Sequence, residues 1–441
     1  MRPQSIFLAP GQFAANLVAF VITIVVAFRY LPAHLLADEY VHIPQAIRFA
    51  NGDWSIDPWL STWPTLNVVV ALGMMTVHDQ SILTARLVVV IFAFAAYFGF
   101  LRLYWCLHPQ LASSFLSSQL RALQFFVSPL VVIYCCTVYT DLPALCWLIW
   151  GAVGVMERRR PLLLVAATVS VAFRQSHIVW FVAIISWHCY LSFQESFVDS
   201  PKNKAAGLGD NRQETPSFTK RLRFVAASEK GVLAWTVVVS AIWLVIVWYA
   251  GGVAFGKNTQ VGHQVAFGGI PNMFFAFTVW AIVFTPYMCN VIYRSARNWT
   301  RSTALGAIAF VVIALLCYRA TLPGNTAPEA MVLIRNQVLR GLLDPGSRIL
   351  LIALSLLGFF AWAYADMAPR THWLRWPLIV TALLYLFPFS LIEQRYYIPM
   401  FSLFWALRSP VSMRSEWTQL VWSLTLSSAL VFEIAAHGRF L

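Results

Sequence analysis

Apolar runs of bilayer-spanning length recur from one end of this chain to the other, and nothing else constrains its fold as strongly. A helix of about 20 residues matches the hydrocarbon core of a membrane. Runs of that kind lie at about 12–31, 83–106, 119–137, 142–156, 231–250, 272–293, 302–320, 347–366, 375–392 and 418–436 of the 441 residues. Only 11% of the chain is charged, against about 25% in soluble domains. The expectation is an all-α polytopic membrane protein forming a single domain over residues 1–441.

Three further stretches are settled by loop charge. Pro161 to Phe193 is 33 residues, about 50 Å as one helix and too long for one crossing. It is broken at Phe173-Arg174-Gln175-Ser176-His177. It is flanked by Arg158-Arg159-Arg160 and by the basic stretch from Lys202 to Lys230. If both flanks are cytoplasmic, the run is a hairpin of two spans with Arg174 and Gln175 at its far tip. Leu66 to His78 is short, and counting it as a crossing would put Arg158–Arg160 on the side opposite the N-terminus; it reads as a re-entrant or interfacial segment. Tyr396 to Leu407, closed by Arg408, reads as a span. The total is about 13 crossings, with a cytoplasmic N-terminus and a C-terminus on the far side.

The formal charge of +13 sits in short connecting loops, as the positive-inside rule expects, and does not indicate nucleic-acid binding. The 19 tryptophans suit interfacial belts. Seven cysteines lie in or beside apolar runs without a Cys-x-x-Cys pair, so no disulfide framework or zinc site is indicated. Arg2 precedes the first run and no small-residue cleavage site follows, which predicts a retained first span. Residues 196–230 form a polar insert expected to be a disordered cytoplasmic loop. The Asn298-Trp299-Thr300 sequon falls in a basic loop and is expected to be unglycosylated. There is no internal repeat of the kind many transporters carry.

With this parity the unusual polar residues gather on the non-cytoplasmic face. The first loop, residues 32–64, carries Asp38, Glu39, His42, Gln45, Arg48, Asp53 and Asp57. Tyr139-Thr140-Asp141 caps a span. Arg174, Gln175 and His177 mark the hairpin tip, and a glycine-rich loop offers Lys257, His263 and Gln264. Glu393, Gln394 and Arg395 meet the membrane just before Tyr396. Each has a plain structural reading. Asp38–Glu39 could be a solvated span terminus, Asp141 an N-cap, Arg174 a snorkelling arginine, Glu393–Arg395 a mutual ion pair, and Asp53 and Asp57 solvated loop residues. The glycine loop lacks the spacing of a phosphate-binding loop. Together, though, carboxylates, arginines and a histidine at a lipid boundary suit a reaction on an anionic lipid: arginine grips phosphate and a carboxylate can take a proton from a hydroxyl. No Gly-x-Ser-x-Gly, His-Glu-x-x-His or Walker sequence is present.

Several clusters, in this order, resemble the endoplasmic-reticulum dolichyl-phosphate-glucose-dependent α-1,2-glucosyltransferase family. DEYVHIPQAIRFANGDWSIDPWLSTWPTLN (residues 38–67) is the strongest match. YTDLPAL (139–145), FRQSHIVW (173–180), GGVAFGKNTQVGHQVAFGGIPNMFF (251–275) and LIEQRYYIP (391–399) follow. The chain departs from the family pattern at Thr65, where a glycine is usual, at Lys257 for aspartate and at His177 for asparagine. LPGNTAPEAMVLIRNQVL (322–339) replaces another family block.

The resemblance implies a GT-C glycosyltransferase bundle with a lumenal active-site loop over 32–64. It implies glucose transfer from dolichyl phosphate β-glucose to the diglucosylated dolichyl-diphosphate-linked oligosaccharide, with inversion, for protein N-glycosylation. One general base suffices. Asp38 is the first candidate and Glu39 the second. Arg395 and Arg174 would hold the donor phosphate, and His42, Gln45, Asp141, Gln175, His263 and Glu393 would position substrate. No metal or other cofactor is expected. The alternatives are a mannosyltransferase using polyprenyl-phosphate mannose and a non-enzymatic transporter or channel-associated protein. Buried charges at mid-span would favour the transporter; here the polar clusters lie at span ends.

Overall fold

A computed structural model describes residues 10–111, 115–195, 217–252, 270–296, 304–315, 348–369, 371–388 and 393–437. Among these the regular elements are helical. They are α1 (Pro10–Tyr30), α2 (Glu39–Ala50), α3 (Thr65–Val77), α4 (Ile82–Leu107), α5 (Phe115–Phe126), α6 (Asp141–Met156), α7 (Arg160–Phe173) and α8 (Ile178–Glu195). They continue with α9 (Phe218–Ser228), α10 (Lys230–Ala250), α11 (Ile270–Val283), α12 (Thr285–Ser295) and α13 (Ala304–Leu315). The last are α14 (Arg348–Tyr364), α15 (Arg375–Leu386), α16 (Ile398–Leu407) and α17 (Met413–His437). Five helical stretches among the described residues are long and apolar enough to cross a membrane, six if the bent α11–α12 pair is one span. The protein is therefore an all-helical multi-span molecule.

Side-chain contacts sort the helix ends into two sets. Asp141 opens α6 and Glu157 closes it; α7 returns from Arg160 and delivers Arg174 beside Asp141. At the other end Arg158 reaches back to the α8 carbonyl of His188 at 3.3 Å and pairs with Glu195 at 2.6 Å. The 161–193 run is thus a hairpin with Arg174 and Gln175 at its tip. Gly154 explains how closely α6 and the start of α7 lie. A Cβ on Gly154 would sit 2.6 Å from the Leu163 backbone nitrogen. Small residues of this kind let membrane helices approach backbone to backbone.

The Leu66–His78 run forms α3, and both of its ends lie on the Asp38 side. Thr65 donates to the Ala172 carbonyl at the hairpin tip, 2.7 Å. Just past its other end, Gln80 pairs with Asn51 of α2 at 2.9 Å. α2 and α3 therefore cover one end of the bundle, the place expected of a non-crossing segment.

Three expectations are corrected. The 119–137 run is not one helix: α5 ends at Phe126, and residues 127–138 continue as successive turns. Pro129 is the cause, since its ring excludes the Phe125 carbonyl and removes a donor. Ser128 Oγ accepts from Leu130 N at 3.3 Å, and the freed Val127 carbonyl takes the Ser427 hydroxyl. The 272–293 run bends by 95° between α11 and α12. Pro286 again breaks the ladder, and the freed Ile282 and Val283 carbonyls are taken by Trp422 Nε1 at 2.7 Å and Gln419 Nε2 at 2.8 Å. Residues 217–230, expected within a disordered loop, include helix α9. Ser217 caps it, Arg221 and Val225 are buried, and Phe218, Leu222 and Phe224 are exposed. Such a helix suits a membrane interface. The rest of that insert, the 298–300 sequon and the 322–339 block lie outside the described residues.

The end opposite Asp38 holds its own buried charges. Glu416 of α17 pairs with Arg121 of α5 at 2.7 Å and with Arg408 at 2.9 Å. Gln124 donates to Glu416, and Arg408 lies over the Tyr287 ring at 4.4 Å. Arg102 pairs with Glu157. Each buried charge has a partner, the condition under which such groups are tolerated inside a membrane protein.

Candidate active site

The adjacent carboxylates Asp38 and Glu39 diverge because a helix starts between them. Successive residues of a helix turn by about 100°, so one side chain can enter the bundle while the next faces away. Glu39 goes inward. Its carboxylate takes Arg86 Nε and Nη2, at 3.0 and 2.6 Å, and the backbone N–H groups of Leu36 (3.0 Å) and Val138 (2.9 Å). Arg86 in turn donates to the Pro32 and His34 carbonyls at 2.7 and 3.0 Å. Glu39 therefore ties α2, α4 and the turn segment before α6 together.

Asp38 does not cap α2 with its side chain; it pairs with Arg395. Its side chain is 17% exposed where that of Glu39 is fully buried. Ala37, just before it, has φ +44°, a left-handed conformation costing an L residue roughly 1–2 kcal/mol. Backbone strain of that kind is kept where the surroundings over-determine it. Here Glu39 fixes the chain on one side, and the Tyr139 hydroxyl accepts from Asp38 N at 3.1 Å on the other.

Around Asp38 the structure brings together residues from four distant segments. Arg395 pairs with Asp38 and Glu393 and lies 4.0 Å from Asp141. Arg174 pairs with Asp141 at 2.6 Å. Both guanidinium groups lie over the Tyr396 ring, at 5.2 and 5.6 Å, and Arg395 also lies 5.6 Å from the Tyr139 ring centroid. Three carboxylates thus surround two guanidiniums. Thr140, not Asp141, occupies the N-cap of α6, and Arg174 is buried and paired rather than snorkelling. The mutual Glu393–Arg395 pair is present. One Asp141 oxygen, Oδ2, is buried with no hydrogen-bond partner among the described residues.

The other candidates take scaffold positions. His42 is buried on α2, with Asn67 donating to its carbonyl at 2.8 Å and lying 3.3 Å from Nδ1. Burial pushes the His42 imidazole below its ordinary value, against the opposing pull of Asp38. Gln45 holds the first loop, donating to the Ser55 carbonyl at 2.8 Å and accepting from Asp57 N at 2.6 Å. Gln175 joins the hairpin tip to the Trp/Pro loop, donating to the Ser61 carbonyl at 2.8 Å. Its own carbonyl accepts from Trp243 of α10 at 2.9 Å. Asp53 and Asp57 fold their own loop, accepting from Ser55 N and Trp59 N at 3.0 and 2.9 Å. His177 turns inward to Ser170 at 2.8 Å. His263, with Lys257 and Gln264, lies outside the described residues.

Arg86, Asn67, Tyr134 and Tyr139 belong to this region and were not among the candidates. Arg86 had a signal: an arginine within an apolar span implies a buried partner.

A family model described as the DIE2/ALG10 family matches residues 33–407, which include every candidate above. A search of curated proteins finds no match. Among solved structures, ArnT from Cupriavidus metallidurans in the apo state is 15% identical, with a TM-score of 0.30, over 79% of this chain and 77% of that one. With most of its length matched by the family model, the chain belongs to the DIE2/ALG10 family, membrane glycosyltransferases of lipid-linked oligosaccharide synthesis and the family its motifs resemble.

Proposed function

We propose that the protein transfers glucose from dolichyl phosphate β-glucose to the diglucosylated lipid-linked oligosaccharide. The product would be the terminal α-1,2 linkage, formed on the lumenal face of the endoplasmic-reticulum membrane within a GT-C-type bundle. The observation that carries this reading is the Asp38–Arg395–Glu393–Asp141–Arg174 cluster, lying within the family match and at the end of the bundle opposite Arg158–Arg160.

The donor carries a β-linked sugar and the product bond is α, so one displacement inverts the anomeric carbon. Asp38 takes the proton from the acceptor hydroxyl as its oxygen attacks that carbon. The bond to the phosphate oxygen breaks, and dolichyl phosphate leaves as an anion beside Arg395, with Arg174 second. Asp38 suits the base role better than Glu39, whose oxygens are already committed to Arg86 and two backbone N–H groups. Asp141 Oδ2, which takes no hydrogen bond among the described residues, offers an acceptor to a sugar hydroxyl, and Glu393 steers Arg395. His42, Gln45 and Gln175 hold the loop that frames the site. The partners on this reading are the two dolichyl-linked substrates and the bilayer, with no nucleic acid.

The test is glucosyl transfer by the purified protein, with dolichyl phosphate glucose and dolichyl phosphate mannose competing as donors. Glucose transfer, with one hexose added to the diglucosylated acceptor, is the expected result. Preferential use of the mannose donor overturns the donor assignment.

A further inference from the structure

A cavity of about 600 Å³ opens at the end of the bundle opposite Asp38. The α6–α7 turn lines one side with Arg158, Arg159 and Arg160, and Pro161 and Leu162 carry that side into α7. α8 lines the other side through His188, Ser192 and Glu195, and Glu229 closes it between α9 and α10. The helical stretch that ends at Glu195 and the helix that begins at Lys230 are both long and apolar enough to cross a membrane. The cavity therefore sits at the level where spans emerge, among lipid headgroups. Its volume is that of a small-molecule site.

Basic loops are common at span ends, but this one is held in place. Arg158 has φ +59°, a conformation L residues rarely adopt and one that persists where the surroundings over-determine it. Its guanidinium donates to the His188 carbonyl at 3.3 Å and the Ser192 hydroxyl at 3.2 Å, and pairs with Glu195 at 2.6 Å. Glu229, itself buried, accepts from Ser192 at 2.9 Å and Arg160 at 3.0 Å, and lies 3.1 Å from His188 Nε2. Arg159 pairs with Glu157 at 3.0 Å. Even so, the Arg159 and Arg160 side chains keep 63% and 52% of their surface exposed. A planar fork of five donors, fixed by one ion pair and still half open, suits the oxygens of a phosphate. Among the described lining residues three arginines face two carboxylates, so the cavity is cationic.

α9 adds apolar surface at the same level. It runs directly into Glu229, with Phe218, Leu222 and Phe224 exposed. Lys220 and Arg223 are exposed as well, on the side of the helix away from buried Val225. A helix of this kind lies in a membrane interface. A free phosphate needs only the arginines; a phospholipid uses the apolar surface too.

We propose that this cavity binds the headgroup of an anionic phospholipid from the adjoining leaflet, with the phosphate at Arg159 and Arg160 and the acyl chains beside α9. The site lies apart from the Asp38–Arg395 cluster, and the inference does not depend on which sugar is transferred.

The test places the full chain in phosphatidylcholine bilayers with phosphatidylinositol that carries a diazirine near the glycerol end of one acyl chain. Labelling of peptides from the start of α7, the end of α8 and α9 is expected, suppressed by unlabelled phosphatidylinositol and not by added phosphatidylcholine. Equal suppression by phosphatidylcholine, or labelling spread over the other helices, overturns the proposal. Suppression by soluble glycerophosphoinositol at the same concentration overturns the choice of a lipid over a free phosphate. Replacing both arginines, Arg159→Gln with Arg160→Gln, is expected to weaken phosphatidylinositol competition roughly 30-fold, about fivefold for each basic side chain at an anionic membrane surface. Lys220→Gln with Arg223→Gln, outside the cavity lining, is expected to weaken it less. Equal losses in the two pairs overturn the cavity in favour of diffuse surface charge. If loss of the Arg160–Glu229 pair unfolds the chain, Arg159→Gln alone decides: a loss of about fivefold is expected, and no loss overturns the proposal.

Discussion

At the scale of single residues, the adjacent carboxylates have opposite work, and substitution separates them. Asp38→Asn is expected to leave the protein folded and to lower turnover by about 10²-fold or more, the usual worth of a positioned base. Glu39→Gln leaves the buried Arg86 guanidinium without its counter-charge. It is expected to cost about 3–5 kcal/mol, read as a lower unfolding midpoint in detergent. Near-normal turnover in Asp38→Asn would remove the base assignment. His42 carries a pH prediction. Its native pKa lies below the ordinary histidine value of 6.5, chiefly through burial. As pH falls through 6.5, the unfolded chain binds a proton that the native chain does not, so stability declines. His42→Asn should flatten that part of the midpoint-versus-pH curve, and an unchanged slope would show that another group sets it. The blocks around Asp38, Asp141, Arg174 and Arg395 were readable because each interrupts an apolar run with charge. The division of labour within Asp38–Glu39 was not, since it depends on where α2 begins and on Arg86, 47 residues away.

At the scale of elements, proline decided where periodicity misled. Apolar run length alone made 119–137 and 272–293 continuous helices, whereas Pro129 and Pro286 break them. The signal was present in the sequence, but a proline in a membrane helix is often absorbed by neighbouring groups. Whether it kinks or breaks the helix depends on partners such as Trp422, Gln419 and Ser427. Loop charge did better: it folded the 161–193 run into a hairpin and kept α3 from crossing. Helix contact supplies the prediction at this scale. A methyl group on Gly154 meets Leu163 backbone at 2.6 and 2.9 Å, where nothing can rotate away. Gly154→Ala should force α6 and α7 apart at a cost of about 1–3 kcal/mol. It should lower turnover as well, because those two helices carry Asp141 and Arg174. Full retention of both midpoint and turnover would mean that the helix pair yields without disturbing its tips.

At the scale of the molecule, charge is divided between two ends with an apolar body between them. The Arg121–Glu416–Arg408 network lies at the end away from Asp38, so damage there should be structural. Glu416→Gln strands two buried guanidiniums and is expected to destabilise the fold by about 3–5 kcal/mol, with turnover per folded molecule unchanged. A selective loss of turnover would instead reveal coupling between the ends. The two-ended layout was legible from the basic loops alone. The long-range pairs that seal each end were not, because composition marks a buried arginine without naming its partner.

The Arg395 pairing also bears on the order of events in a catalytic cycle. In the resting protein its guanidinium is shared between Asp38 and Glu393, so an arriving phosphate competes with the protein's own anions. Under the proposed roles, donor binding loosens the hold on Asp38 and leaves its oxygen more basic, and the acceptor then meets a base already released. The cycle becomes compulsory in sequence, donor before acceptor. Steady-state patterns should report it: dolichyl phosphate should compete with the donor and act as a noncompetitive inhibitor against the acceptor. A random-order pattern would mean that Asp38 is available whether or not the donor has arrived.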